Sequence, residues 1–232
     1  MSSQTPAIPK PAATVVLLRD GENGSEVFLT RRPETMSFLG GFVVFPGGRV
    51  DKIDQSESVF QRITGLDKTP PLPLADYGNV PIDPRAFYPA AIRELFEEAG
   101  VLLLEERNGN PVSPDTAERL RSLLPVSSKR FYELVAEHDL YLPAHRFEFV
   151  QLFVTPEFSP QRFYTVFLKA VLPEGQRAGI ENREVAESFW ISPADALDEK
   201  SRGGFKMILP TIMALEAVDD GTVKAIDKNG GL

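Results

Sequence analysis

The chain has 232 residues, 42% of them hydrophobic and 25% charged, which is typical of a folded globular protein with a sizeable core. Its formal net charge of −8 argues against nucleic-acid or anionic-membrane binding, because both require a basic surface. The chain has no cysteine and only two histidines, so carboxylates are the expected reactive groups of any enzyme, and carboxylates suit hard cations such as Mg²⁺.

The first residues carry no recognisable targeting signal. Residues 1–12 are polar and interrupted by proline, without the basic and apolar regions of a signal peptide. No apolar run in the chain reaches the roughly 18 residues that a membrane-spanning helix needs. We therefore expect a flexible segment at 1–12, a single domain at 13–232 and a cytoplasmic location.

Three short apolar runs in the first fifty positions predict strands. Residues 14–18 and 27–30 flank a cluster of turn residues, which is typical of a hairpin. Residues 42–45 form the third run, which ends at Pro46, Gly47 and Gly48. A glycine turn at this point allows the backbone to approach a ligand closely.

A proline-rich stretch, residues 65–84, predicts a long loop. Loops of this length inside a compact domain are usually functional or disordered. We expect it to lie outside the core and near the mouth of the functional site. Shortening it would then change substrate affinity or selectivity more than stability, because loop length itself costs little free energy.

The second half of the chain mixes helices and strands. Residues 90–99 predict a helix that Pro89 starts and Gly100 ends, and residues 101–104 predict a buried strand. Further helices are predicted at 116–124, 129–137, 193–197 and 208–218, and further strands at 147–154, 163–172 and 185–191. The mixture indicates an α/β or α+β fold.

The helix at 90–99 carries Arg93, Glu94, Glu97 and Glu98. Spacings of three and four residues place the three carboxylates on one face, where their mutual repulsion costs stability. Glu97 and Glu98 also lie near the helix C-terminus, which is unfavourable for negative charge. One interpretation is an acidic helix surface exposed to solvent. The other is a binding site for a divalent cation, which would relieve the repulsion and would explain an arrangement that is locally unfavourable.

The glycine turn and this helix together resemble the Nudix box. Gly48 is followed after five residues by an acid, Asp54, where the family has glutamate, and the segment 93–101 matches the Arg-Glu-apolar-x-Glu-Glu-x-Gly-apolar half. Residues 55–92 form a much longer spacer than the family's, with an insertion at about 55–88. A group of Nudix hydrolases similar to animal coenzyme A diphosphatases has such an interrupted box, and segments 28–32 and 41–51 are similar to theirs.

The resemblance implies an α/β fold of the Nudix type, an α/β/α sandwich with a mixed β-sheet and extra helices. It implies that Glu97 and Glu98 ligate Mg²⁺ or Mn²⁺, with the Gly47 carbonyl often helping. Glu94 would be a further ligand or a base-orienting group. Arg93 would pair with an acid and fix the helix rather than touch the substrate.

The resemblance leaves the general base open. Glu184 and Glu187 are similar to the family's late acidic segment, so either could be the base, a further metal ligand or a solvated strand-edge acid. Arg31 and Arg32 are candidates for binding substrate phosphate together with Gly48, and exposed strand-end arginines are the alternative.

The implied function is a metal-dependent hydrolase that cleaves the diphosphate bond of a nucleoside diphosphate linked to another moiety, with coenzyme A or acyl-CoA as the leading substrate. Hydrolysis of ADP-ribose, NADH or dinucleotides is the alternative, and so is a non-catalytic module that senses a nucleotide. The intact acids favour the enzyme. No nucleic-acid or membrane partner is expected, and a homodimer is a candidate assembly.

Overall fold

The computed structural model describes residues 7–22, 24–74, 82–179 and 185–219. The strands are β1 (Lys10–Gly21), β2 (Gly24–Arg31), β3 (Val43–Val44), β4 (Gly47–Arg49), β5 (Ile63–Thr64), β6 (Leu142–Pro143), β7 (Glu148–Val154), β8 (Phe163–Val171) and β9 (Glu187–Ile191). The helices are α1 (Glu57–Phe60), α2 (Phe87–Ala99), α3 (Pro114–Arg121), α4 (Ser128–Glu137), α5 (Pro193–Ser201) and α6 (Leu209–Asp219). None of the helices in these described ranges is long and apolar enough to cross a membrane.

The centre of the fold is a sheet in which seven strands can be described, with the order β3-β2-β1-β8-β7. β4 additionally pairs with β1, and β9 with β2. β1 and β8 run parallel, whereas the other pairs in this sheet are antiparallel. The sheet is therefore mixed, as predicted.

Helices cover both faces of the sheet. Alternate side chains of a strand point to opposite faces, so Val15 and Leu17 of β1 pack into one core with residues of α2, α3 and α4. Val16, between them, packs into a second core with residues of α5 and α6. Two apolar cores separated by one sheet confirm the predicted α/β/α sandwich with extra helices.

The acidic helix α2 begins earlier than predicted. A 3₁₀ turn, Pro84–Ala86, leads directly into it, and the Asp83 side chain accepts a hydrogen bond from the backbone N–H of Arg85 at 2.9 Å. Pro89 is therefore the third helical residue and not the first. The predicted end is confirmed, because Gly100 adopts a left-handed conformation with φ of 68°.

The predicted strand at residues 101–104 is wrong. These residues are buried, but the chain there is irregular and packs into the core beside α3 and α4. The side chain of Gln176 bonds the N–H and the carbonyl of Leu102, at 2.9 Å each, and so satisfies backbone groups that a neighbouring strand would otherwise satisfy. A short apolar run predicts burial but does not identify the partner of its backbone.

The insertion packs on the body of the domain. Strand β5 pairs in parallel with β6, and Leu72, Leu74 and Ile82 pack against the larger core. None of its described residues lines the cavity that contains the acidic face of α2. We expected this stretch to lie outside the core and near the mouth of the site, but its described leucines pack against the core and none of its described residues lines the cavity.

We expect the double substitution Leu72→Ser, Leu74→Ser to lower stability and to leave substrate affinity unchanged. Both leucines are half-buried against the core, so their replacement should cost about 1–3 kcal/mol in total. Thermal unfolding would measure the loss, with the exposed Leu123→Ser as the control. A raised KM at unchanged melting temperature would instead restore a role for the insertion at the site.

Candidate active site

The acidic face of α2 lies on the wall of a large cavity, with a volume of about 1220 Å³. Glu94, Glu97 and Glu98 line it from the helix, and Gly47 and Gly48 line it from β4. The backbone N–H of Gly47 donates to Glu98 Oε2 at 2.9 Å, which ties the glycine turn to the helix. The two halves of the sequence motif therefore meet at one surface.

Gly47 and Gly48 are required by close contacts with neighbouring elements. A Cβ atom at Gly48 would lie 2.5 Å from Glu94 Oε1, and one at Gly47 would lie 2.5 Å from the carbonyl oxygen of Ala13. A larger residue at Gly47 would push β4 away from the backbone of β1, and one at Gly48 would displace the carboxylate of Glu94. The close backbone approach that was predicted for this turn is therefore a contact with other parts of the same protein, Glu94 and Ala13.

Behind the carboxylates, Arg93 is only 2% exposed and uses all five N–H donors of its guanidinium. Its Nε and Nη2 grip both oxygens of Asp54 at 3.0 and 2.9 Å. Its Nη1 donates to Glu94 Oε1 at 2.7 Å and to Glu97 Oε2 at 3.2 Å. The remaining Nη2 donor bonds the carbonyl of Arg49 at 2.9 Å. Arg93 therefore pairs with acids, as expected from the resemblance.

Asp54 is fully buried, although the insertion begins one residue after it. Besides Arg93, its carboxylate accepts hydrogen bonds from the hydroxyl of Tyr132 and the backbone N–H of Asp51, both at 2.7 Å. A 3₁₀ turn, Ile53–Gln55, completes the local geometry before the inserted residues start. Asp54 thus serves as the acid that pairs with Arg93, and the insertion leaves that pair intact.

The crowding of charges shifts two pKa values. Burial alone would lower the pKa of Arg93, but its hydrogen bonds with Asp54 and the charges of Asp54, Glu94 and Glu97 raise it overall. Burial and the nearby charge of Glu94 raise the pKa of Glu97 to about 7, against the opposing effect of Arg93. Near neutral pH Glu97 is therefore only partly ionised, and ionising it costs folding free energy.

The donor set suits a hard divalent cation in chemistry, since Glu94, Glu97 and Glu98 present carboxylate oxygens to one cavity. A cation would also offset the crowding that disfavours ionised Glu97. Among the described residues, however, no three acidic or histidine side chains are arranged so that they could hold one ion. In this arrangement one oxygen each of Glu94 and Glu97 bonds Arg93, and one of Glu98 bonds the Gly47 N–H.

The raised pKa of Glu97 predicts how the metal-free protein responds to pH. A carboxyl whose pKa is higher in the folded than in the unfolded state makes folding more favourable as the pH falls through its folded value. As the pH falls from about 8 to about 6, protonation of Glu97 should therefore increase the free energy of unfolding of the parent protein. Glu97→Gln has no such group and should show no such increase. We expect Glu97→Gln to melt a few degrees higher than the parent near pH 8, and the difference between the two melting temperatures to become smaller near pH 6. A difference that does not change with pH would contradict this prediction.

The structure separates the two arginines that follow one another at the end of β2. Arg32 lines the cavity, with Nη1 4.0 Å from Glu98 Oε1, and its buried Nε has no hydrogen-bond partner among the described residues. Arg31 instead pairs with Glu187 of β9 at 3.0 Å, and neither residue lines the cavity. The candidate Glu184 lies outside the described residues.

The sequence reasoning missed several cavity residues. Lys10, Arg49 and Arg162 add positive charge to that of Arg32. The lining of the cavity also includes large apolar side chains, several of them aromatic: Phe38, Phe153, Phe163, Phe167 and Ile208. No motif in the sequence marks these residues, because they come from distant segments that only the fold brings together.

A glycine turn and an acidic helix that meet at the wall of one cavity, on an α/β/α sandwich, define a Nudix-type protein. The family model described as the NUDT19 Nudix domain matches residues 9–216. The chain therefore belongs to the Nudix family, in the branch that resembles coenzyme A diphosphatases.

Individual relatives agree with this. The chain is 31% identical to a NUDIX hydrolase from Alicyclobacillus acidocaldarius of known structure, with a TM-score of 0.70 and 91% of each chain covered. It is 27% identical over 206 residues to the acyl-coenzyme A diphosphatase NUDT19 of Xenopus laevis, covering 75% of this chain and 54% of that protein. The NUDIX domain of Shewanella oneidensis NrtR, solved with ADP ribose, shares the fold at 14% identity, with a TM-score of 0.50 and coverage of 93% and 89%. The chain spans little more than half the length of the curated relatives that it matches.

Proposed function

We propose that this chain is a Mg²⁺- or Mn²⁺-dependent diphosphatase that cleaves the diphosphate bond of coenzyme A or an acyl-CoA. The observation that carries the proposal is the assembly of the whole interrupted motif at one cavity. Gly47 and Gly48 face the three carboxylates of α2, and Asp54 and Arg93 hold that face from behind. A module that only senses nucleotides has no need of this acidic arrangement.

In this proposal Glu94, Glu97 and Glu98 would hold the cation together with the carbonyl of Gly47, and their side chains would have to converge more closely than they do in this structure. A bound metal would neutralise charge on the diphosphate and lower the pKa of an attacking water. The protein's own contribution is positioning: Arg93 keeps Glu94 and Glu97 on the cavity side, and the Gly47 N–H orients Glu98. Glu94, which lies against Gly48 of the turn, would be a further ligand or would orient the base.

Positive charge in the cavity supports an anionic substrate. Although the chain has a net charge of −8, Lys10, Arg32, Arg49 and Arg162 all line this one cavity. Arg32 lies nearest to the acids, and its Nε is a buried donor available for a phosphate oxygen. Arg162 is held in place by hydrogen bonds to the carbonyls of Thr155 and Ala7, at 2.9 and 2.8 Å. These four cationic side chains in one cavity suit a substrate that carries several phosphate charges.

The shape and lining of the cavity favour coenzyme A over smaller nucleotides. Its volume of about 1220 Å³ is above the range of roughly 300–1,000 Å³ that is usual for small-molecule sites. The apolar side chains in its lining would accept a long, partly apolar arm such as pantetheine. The similarity to an acyl-coenzyme A diphosphatase points in the same direction.

The test is a metal-supplemented assay that compares coenzyme A, an acyl-CoA, ADP-ribose, NADH and a diadenosine polyphosphate at equal concentration. We expect cleavage of the CoA compounds to phosphopantetheine (or its acyl form) and 3′,5′-ADP. Glu98→Gln, prepared in the same way, controls for contaminating hydrolases. A kcat/KM at least about tenfold higher for ADP-ribose or a dinucleotide, about 1.4 kcal/mol in the transition state, would overturn the CoA assignment. Absence of hydrolysis of every compound would overturn the diphosphatase.

A further inference from the structure

Helix α4 belongs to no motif identified in the sequence, yet two of its hydroxyl groups bond the loop that carries Asp54. The hydroxyl of Tyr132 donates to Asp54 Oδ1 at 2.7 Å. One turn earlier, the hydroxyl of Ser128 donates to Asp51 Oδ2, also at 2.7 Å. The loop between β4 and α1 is therefore held from α4 at two points three residues apart.

The ring of Tyr132 is fixed by aromatic packing between α4 and α2. The side chain is 7% exposed and meets Phe131 edge-on, with ring centroids 5.1 Å apart. Phe131 in turn packs on Phe96 of α2 at 5.6 Å. Burial and the charge of Asp54 raise the pKa of Tyr132 well above its usual value, so the hydroxyl keeps its proton and acts as a donor.

The hydroxyl of Tyr132 completes the set of hydrogen bonds to Asp54. Each oxygen of a carboxylate accepts about two hydrogen bonds. Oδ1 accepts from Tyr132 and Arg93 Nε, and Oδ2 accepts from Asp51 N–H and Arg93 Nη2. With every acceptor position used, the carboxylate has one orientation, and the guanidinium that it grips has one orientation too. That guanidinium bonds Glu94 and Glu97 directly.

We propose that Tyr132, assisted by Ser128, is a positioning residue for the acidic face of α2 and acts on it through Asp54 and Arg93. Tyr132 does not line the cavity, so its effect reaches the site only through this chain of hydrogen bonds, whereas Ser128 also lines the cavity itself. The inference rests on the proposed function, because it assigns the acidic face to metal binding. Partners that orient metal ligands typically contribute about 10–100-fold to affinity or activity.

The decisive variant is Tyr132→Phe, which keeps the aromatic packing and removes one hydroxyl. We expect kcat to fall about tenfold, the KM for coenzyme A to stay within about twofold, and Mn²⁺ affinity measured by calorimetry to fall at least about threefold. Ser128→Ala should cause a smaller change in the same direction. Tyr141→Phe is the matched control, because its hydroxyl also bonds an aspartate, Asp139 at 3.4 Å, but at the surface. It should leave all three quantities unchanged.

A purely structural role would give a different pattern. Tyr132→Phe would then melt at a lower temperature, while kcat and Mn²⁺ affinity of the folded protein matched the parent, and the proposal would be overturned. If Tyr132→Phe does not fold, Ser128→Ala decides: parental kcat and Mn²⁺ affinity in that variant overturn the proposal. A parent protein that neither binds Mn²⁺ nor hydrolyses any compound overturns the proposed function itself, and this inference with it.

Discussion

Glu97→Gln and Glu98→Gln are each expected to reduce kcat by at least about 100-fold while the protein stays folded. Replacing only the partners of a metal ligand costs about 10–100-fold, and these two residues are proposed as ligands themselves. Both line the cavity beside the Gly47–Gly48 turn. Glutamine keeps the size of the side chain and removes the charge that a hard cation needs.

The measurements are steady-state kinetics with Mg²⁺ and Mn²⁺, Mn²⁺ binding by calorimetry and thermal unfolding. Glu118→Gln is the matched control, because Glu118 is an exposed glutamate that pairs with Arg177 away from the cavity. It should retain full activity. Near-parental turnover in both Glu97→Gln and Glu98→Gln would remove these residues from the metal site, whatever the substrate.

Asp54→Asn is expected to cause the largest loss of stability of any change that neutralises a single carboxylate in the site. The pair of Asp54 with Arg93 is almost completely buried, with side chains 0% and 2% exposed. Asp54→Asn would leave the buried charge of Arg93 with Glu94 and Glu97 as its remaining acidic partners, and removing one partner of a buried ion pair typically costs about 3–5 kcal/mol. For a chain of this size that corresponds to a fall in melting temperature of roughly 10 °C. Activity should fall as well, because Arg93 loses its orientation.

Thermal unfolding of the metal-free protein measures this effect without reference to substrate. Asp198→Asn is the control, because Asp198 pairs with Arg202 at 2.6 Å on the exposed surface of α5. Surface pairs contribute only about 0–1 kcal/mol, so the control should melt within a few degrees of the parent. If Asp54→Asn behaves like Asp198→Asn, the buried pair does not organise the site.

The local sequence determined the elements that have strong internal signals. The apolar runs predicted β1, β2, β7 and β8, and the glycine at position 100 marked the end of α2. Helical spacing alone placed Glu94, Glu97 and Glu98 on one face, because that geometry depends only on residues within one turn of each other. The family resemblance supplied the pairing of Arg93 with an acid.

Only the tertiary structure decided what depends on distant segments. Strand geometry places adjacent side chains on opposite faces of the sheet, but the sequence does not indicate which face carries the site. In the structure Arg32 lines the cavity, whereas Arg31 pairs with Glu187 on β9.

The same reason explains the other differences between expectation and structure. Residues 101–104 are buried without becoming a strand, since the side chain of Gln176 satisfies backbone groups of Leu102. Tyr132 reaches Asp54 across 78 positions of sequence, and such a contact leaves no periodic or local signal. The periodicity of the sequence thus specifies which side chains of one helix or strand lie on the same face. The packing of α4 and of the sheet specifies which of these faces contact one another.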